Sequence, residues 1–122
     1  MLAEDWLTKH FRRSEFACRC GCGFADIDMN LVRKLECIRR AIGRPIRITS
    51  GCRCPKYNAL VGGKPNSAHL KGLAADVYCP DSEFRYHFLN WALSYFRRIG
   101  IGPDFIHVDI DESKPQYVVW LY

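Results

Sequence analysis

The chain has 122 residues, 48% hydrophobic and 25% charged, which suits one globular domain spanning 1–122 and excludes a low-complexity or disordered polypeptide. No apolar run reaches the roughly 20 residues that a membrane span needs, so no membrane partner is expected. A net charge of +5 suits an anionic polymer. The basic residues are scattered apart from Arg12-Arg13, Arg39-Arg40 and Arg97-Arg98, and no nucleic-acid motif accompanies them.

The opening Met1-Leu-Ala-Glu-Asp-Trp6 is acidic and lacks a basic region followed by an apolar one, so no secretory signal is read and synthesis in the cytoplasm is expected. Trp6, Phe11 and Phe16 are expected to pack across the core ahead of a cysteine cluster. Seven cysteines cannot all pair within one chain, and without a signal reduced thiols are the simpler expectation. Cys18-x-Cys20-x-Cys22 is tighter than the usual zinc spacing. It can still join Cys37, Cys52, Cys54 or Cys79 in a second metal site or a disulfide. A structural role for the cysteines is favoured over reactive chemistry.

Asp28 is placed to cap a helix to about Ile42, because Leu31, Leu35, Ile38 and Ile42 recur at helical spacing and Gly43 and Pro45 end the run. Ile46-Arg-Ile48-Thr alternates like a strand, Pro55 to Leu60 is a short helix, and Lys64-Pro-Asn66 is loop. Leu73 to Tyr78 reads as a strand. Asp81 caps a longer helix to about Arg98, with Phe84, Phe88, Trp91, Leu93 and Phe96 as buried candidates. Phe105 to Ile110 alternates as a strand, and Tyr117 to Tyr122 is a last β-prone run. The turn-rich segment between these two predicts an antiparallel hairpin. The fold class is therefore α+β, a small antiparallel sheet with flanking helices.

Chemistry concentrates in Ser67-x-His69-x-x-Gly72-x-Ala74-x-Asp76 and the later Phe105-Ile-His107-Val-Asp109. Two imidazoles and a carboxylate can hold a metal and leave a fourth position open. His69 and Asp76 are seven apart, so the chain must turn between them, and Gly72 permits the turn. Strand alternation puts His107 and Asp109 on one face, so Asp109 is placed to orient the histidine. Ser67 is placed to hydrogen-bond substrate or to brace the loop. Tyr57 and Asn58 are read as holding the loop. His10 and His87 are read as surface or helix residues without a partner pattern.

These motifs, with Ile48-Thr-Ser-Gly51-Cys-Arg53-Cys-Pro55-Lys-Tyr57-Asn58 and Val61-Gly-Gly63-Lys-Pro65-Asn66-Ser67, resemble peptidase family M15. The likeness is to zinc D-Ala-D-Ala carboxypeptidases in their small, single-domain phage and prophage branch, and covers roughly Phe11 to Ile110. The resemblance implies the fold shared with Hedgehog signalling domains. It implies one catalytic zinc on His69, Asp76 and His107, and hydrolysis of peptide bonds in peptidoglycan stem peptides, as a carboxypeptidase or an endolysin-type endopeptidase; a monomer is expected. It further implies Asp104, three before His107, as general base, with Asp109 as the alternative. Arg53 is implied as the residue that binds a carboxylate or oxyanion. Some relatives carry a further histidine where this chain has Gly102. Without a leader, access to the wall is expected through a phage holin or lysis. The competing expectation is a non-catalytic zinc module or a phage structural protein on the same fold. A weaker one is a cysteine-based metal or redox protein.

Overall fold

The structure, a computed structural model, describes residues 5–122; Met1 to Glu4 of the acidic opening lie outside them. Asp28 starts α1 (Met29–Ile42) by accepting a hydrogen bond from the Asn30 amide at 2.8 Å. Gly43 ends it with φ of 65°, its amide donating to the Arg39 carbonyl. Between the caps, Leu31, Val32, Leu35 and Ile38 form a fully buried stripe. Each such side chain contributes about 1.5–3 kcal/mol by leaving water.

Five strands follow: β1 (Ile48–Ser50), β2 (Ala74–Tyr78), β3 (Arg98–Ile101), β4 (Phe105–Asp109) and β5 (Val118–Leu121), in the order β1-β2-β4-β3-β5. Pairings are antiparallel except β3 with β5, which is parallel. Two further helices, α2 (Pro55–Leu60) and α3 (Ser82–Tyr95), begin where Pro55 and the Asp81 cap predict. Ala75, Val77, Ile99, Ile106 and Val108 point to one face of the sheet and join α1 and the Phe84, Phe88 and Ala92 stripe of α3 in one core. Their alternate neighbours, Asp76, Gly100, His107 and Asp109, take the other face, because successive strand residues point in opposite directions. The polar site is thus built on the back of the core. No helix among the described residues is long and apolar enough to cross a membrane.

The α+β class holds, but the connections differ from expectation in three places. The long helix stops at Tyr95, and Phe96 is buried in extended conformation. Arg98-Ile-Gly-Ile101 then forms β3, a strand that the helical reading to Arg98 concealed. Trp91 and Leu93 are 37% and 58% exposed, because the buried stripe passes through Ala92 instead. The hairpin is β3–β4 across residues 102–104, not β4–β5. β4 already has β2 on one edge and β3 on the other, so β5 cannot pair with it and adds beyond β3 instead. The first strand begins at Ile48, leaving Ile46 buried ahead of the ladder. Phe11 and Phe16 are buried as expected, whereas Trp6 is 45% exposed and covered by the Arg12 guanidinium, 4.3 Å from its ring.

Gly72 carries the turn between the two halves of the motif. Its φ is 70°, and a Cβ there would strike the Asp26 carbonyl oxygen. Its own carbonyl accepts the Asp28 amide at 2.9 Å, which ties the turn to the start of α1. Gly72→Ala is expected to cost roughly 1–3 kcal/mol, from the left-handed backbone and the forced shift of Asp26. A denaturant midpoint equal to wild type would show that the turn tolerates a side chain.

Candidate metal centre

Strand register supplies half of the site. Asp76 on β2 lies directly across from His107 on β4. His69 arrives from a 3-10 turn, Ala68–Lys71, whose start is capped by Ser67 Oγ accepting the His69 amide at 3.2 Å. Gly72 closes that turn and sends the chain into β2. The two imidazole rings meet edge to face with centroids 5.1 Å apart. One ligand atom from each of His69, Asp76 and His107 lies within 4.8 Å of the others, and all three residues are buried.

Outer hydrogen bonds fix which nitrogen each histidine turns inward. His69 Nδ1 donates to the Gly51 carbonyl at 2.6 Å, leaving Nε2 3.2 Å from Asp76 Oδ1. His107 Nε2 donates to Asp109 Oδ2 at 2.7 Å, leaving Nδ1 2.9 Å from the same Asp76 oxygen. Asp109 is held in turn by Arg98 Nε at 2.8 Å and the Asp111 amide at 3.1 Å. Burial by itself would raise the Asp76 pKa. The His107 and His69 imidazoles beside it outweigh that effect and hold the carboxyl well below the usual range. Burial would likewise lower His107, but the Asp109 and Asp76 carboxylates raise it above its ordinary value. Two inward nitrogens and a carboxylate oxygen, each braced from outside, fit a zinc ion with an open fourth position.

Arg53 sits against this centre. Its Nη2 donates to Asp76 Oδ2 at 3.2 Å, its Nε to Ser50 Oγ at 2.9 Å and its Nη1 to Asn58 Oδ1 at 3.3 Å. Its backbone amide donates to the His69 carbonyl at 3.0 Å. Buried Asn58 also donates to the Lys64 carbonyl at 2.8 Å, so it does hold the loop. A cavity of about 750 Å³ opens over the three converging residues, with Arg53, Lys64, Lys114, Trp120 and Tyr122 among its walls. Trp120 reaches the centre because it pairs with Gly100, which offers no Cβ to obstruct its ring. Its centroid lies 5.4 Å from that of His107.

Ser67 lines the cavity and braces the loop by capping it. Asp109 lines it too, with Oδ2 holding His107 and Oδ1 accepting from Arg98 Nε and the Asp111 amide. Asp104 is not brought to the cavity. It is exposed on the β3–β4 turn, and its carbonyl accepts the Cys79 amide at 2.8 Å, beyond the end of β2. Asp104 precedes β4, so strand alternation does not carry it to the face of His107. His10 has a partner after all: its backbone amide donates to Glu36 Oε1 at 2.8 Å and its ring lies against the second carboxylate oxygen. His87 is exposed on α3. Sequence reading missed Trp120, Tyr122, Lys64, Lys114 and Arg98 as cavity residues. For Trp120 the chain offered only a bulky residue in a short β-prone run, because its partner Gly100 lies on the unread strand β3.

A family model described as Peptidase M15 matches residues 9–109, which include Arg53, Ser67, the three converging residues and Asp109. No curated protein matches the chain.

His69→Ala and His107→Ala are each expected to lose one zinc per chain. Asp109→Asn should weaken zinc binding at this centre roughly 10- to 100-fold, through lost support of His107. Asp104→Asn should leave that affinity unchanged. Titration calorimetry on the four variants reads this directly, and wild-type affinity in both histidine variants would dismiss the three as ligands.

Proposed function

The chain belongs to peptidase family M15, a metallopeptidase family, and we propose that this member is a zinc-dependent hydrolase of peptide bonds in bacterial peptidoglycan stem peptides. The observation that carries the proposal is the convergence of His69 Nε2, Asp76 and His107 Nδ1 at the base of an open cavity with cationic walls. Zinc, when bound there, polarises a scissile carbonyl and brings the pKa of water toward about 7. The remaining work falls to the chain. Asp109 and the Gly51 carbonyl keep both imidazoles aimed inward. Ser50 and Asn58 hold the Arg53 fork beside Asp76, where it can accept a peptide carboxylate or a developing oxyanion. Exposed Lys64 adds charge at the rim, and Trp120 offers an apolar wall. Cations around the cavity suit a substrate rich in carboxylates.

For Asp104 to accept a proton in this cavity, the 102–104 turn must fold over it when peptide binds. Turnover of Asp104→Asn at saturating zinc measures that. A fall of roughly 10²-fold or more requires such closure. Wild-type turnover leaves Asp109 as the acceptor.

Purified peptidoglycan digested with the zinc-loaded protein is expected to release fragments that mass analysis resolves. Loss of a terminal D-alanine makes the enzyme a carboxypeptidase, and an internal cut makes it an endolysin-type endopeptidase. Zinc-loaded protein that releases no fragment would sink the proposal in favour of a non-catalytic zinc module.

Arg53→Lys keeps the charge and loses the fork. It is expected to lower kcat/KM by roughly 10²-fold with zinc occupancy retained at saturating metal. If the fork reads a terminal carboxylate, amidating that group should cost wild type far more than Arg53→Ala. Equal losses would leave Arg53 the oxyanion or a structural role.

A further inference from the structure

A second cluster of metal-binding side chains lies outside the hydrolytic centre. Cys18, Cys20 and Cys22 follow one another through a tight turn, and Cys54 meets them from the start of α2. Gly21 and Gly23 have φ of 83° and 93°, so the chain can reverse between and after the cysteines as a residue with a side chain would resist. The Cys18 amide closes the turn on the Phe24 carbonyl at 2.7 Å. One sulfur from each of the four lies within 4.8 Å of the others. Cys18 Sγ is 3.4 Å from Cys20 Sγ, which is 3.7 Å from Cys54 Sγ. Ligands 2.3 Å from a tetrahedral zinc stand about 3.8 Å apart, so these sulfurs are close to the edges of such a tetrahedron.

Two backbone amides are also aimed at the cluster. The Cys54 amide donates to Cys18 Sγ and the Tyr57 amide to Cys54 Sγ, each at 3.4 Å. Amide donors of this kind support negative sulfur, as the outer hydrogen bonds do at other thiolate metal sites. The other cysteines stand apart, Cys37 exposed on α1 and Cys52 and Cys79 buried in the apolar core.

We propose that Cys18, Cys20, Cys22 and Cys54 form a second, structural site that binds one zinc ion through four thiolates. Four soft sulfur donors in a tetrahedral arrangement select zinc or iron over calcium or magnesium, which take oxygen. With four protein ligands no position is left for water, so the site is structural rather than hydrolytic. Binding to four neutral thiols releases four protons to solvent and leaves the complex with a charge of −2; no oxidant is needed. The Arg13 and Arg19 guanidiniums, anchored to carbonyls beside the turn, offset that charge. The ion would fasten the 18–22 turn to the residue next to Arg53, and so steady the arginine's approach to Asp76.

The test is zinc stoichiometry on the full chain purified with zinc, paired with cobalt substitution. Two zinc ions per chain are expected in wild type. Cys20→Ser/Cys22→Ser, both exposed positions, should keep one. His69→Ala should also keep one, and its cobalt form should retain the intense sulfur-to-cobalt charge-transfer absorption that the double cysteine variant lacks. One zinc in wild type that His69→Ala removes would overturn the proposal. So would iron in place of zinc, or a mass two hydrogens short that marks a disulfide within the cluster. The two sites share no ligand, so a protein with two zinc ions and no action on peptidoglycan refutes the hydrolase reading alone.

Discussion

An ionised carboxylate on an inner strand of a sheet is costly unless charged or polar groups compensate it, at several kcal/mol per ion. Asp76 is such a group, 8% exposed between β1 and β4. Three side chains answer it: His69 and His107 on one oxygen, Arg53 on the other. Much of the surrounding structure serves to deliver them. The Ser67 cap and the Gly72 turn bring His69, the β2–β4 register brings His107, and Ser50 with Asn58 brings Arg53. Unpairing any of the three would leave the carboxylate short of compensation, so fold and site share one constraint.

The sheet separates the two tasks by strand alternation. One face is apolar and closes on α1 and α3; the other gathers Asp76, His107 and Asp109. Rigidity on the first face gives precision on the second, because side chains held by strands move less than those held by loops. β5 extends the polar face from the far edge. Its parallel pairing with β3 sets Trp120 against Gly100, where the missing Cβ lets the indole lie beside His107. Arg98 then stacks 4.9 Å above that indole while its Nε holds Asp109.

The segment from Cys52 to Asn58 belongs to two networks at once. Cys52 donates its amide to the Phe16 carbonyl, and Cys54 meets the cysteine turn. Between them the Arg53 amide reaches the His69 carbonyl and its guanidinium reaches Asp76. A displacement of the 18–22 turn would therefore be felt at the arginine through the peptide unit that joins Arg53 to Cys54. This gives the cysteine-rich opening a physical connection to the centre without contributing a ligand to it.

Much of the site was legible in the chain because its information is local. The Ser67 to Asp76 motif contains its own cap, turn and strand, and alternation alone places His107 and Asp109 on one face. Asp28, Pro55 and Asp81 announce their helices because capping depends on residues within one turn. What escaped was non-local. β3 carries only two apolar side chains and follows a helix without a breaker, so only its pairing to β4 and β5 makes it a strand. The family resemblance placed Asp104 at the centre, whereas the fold leaves it exposed on the turn ahead of β4, outside the cavity lining. The odd number of cysteines left their state open until the fold set Cys54 beside Cys18 and Cys20. Read alone, the chain yields the donor types, the helix caps and the face of β4 that carries His107 and Asp109, since these rest on neighbours a few residues apart. Strand order, the Arg53–Asp76 pair and the four-sulfur cluster were decided by tertiary structure: β2 with β4, Arg53 with Asp76 and Cys18 with Cys54 join residues more than twenty positions apart that only the closed core brings together.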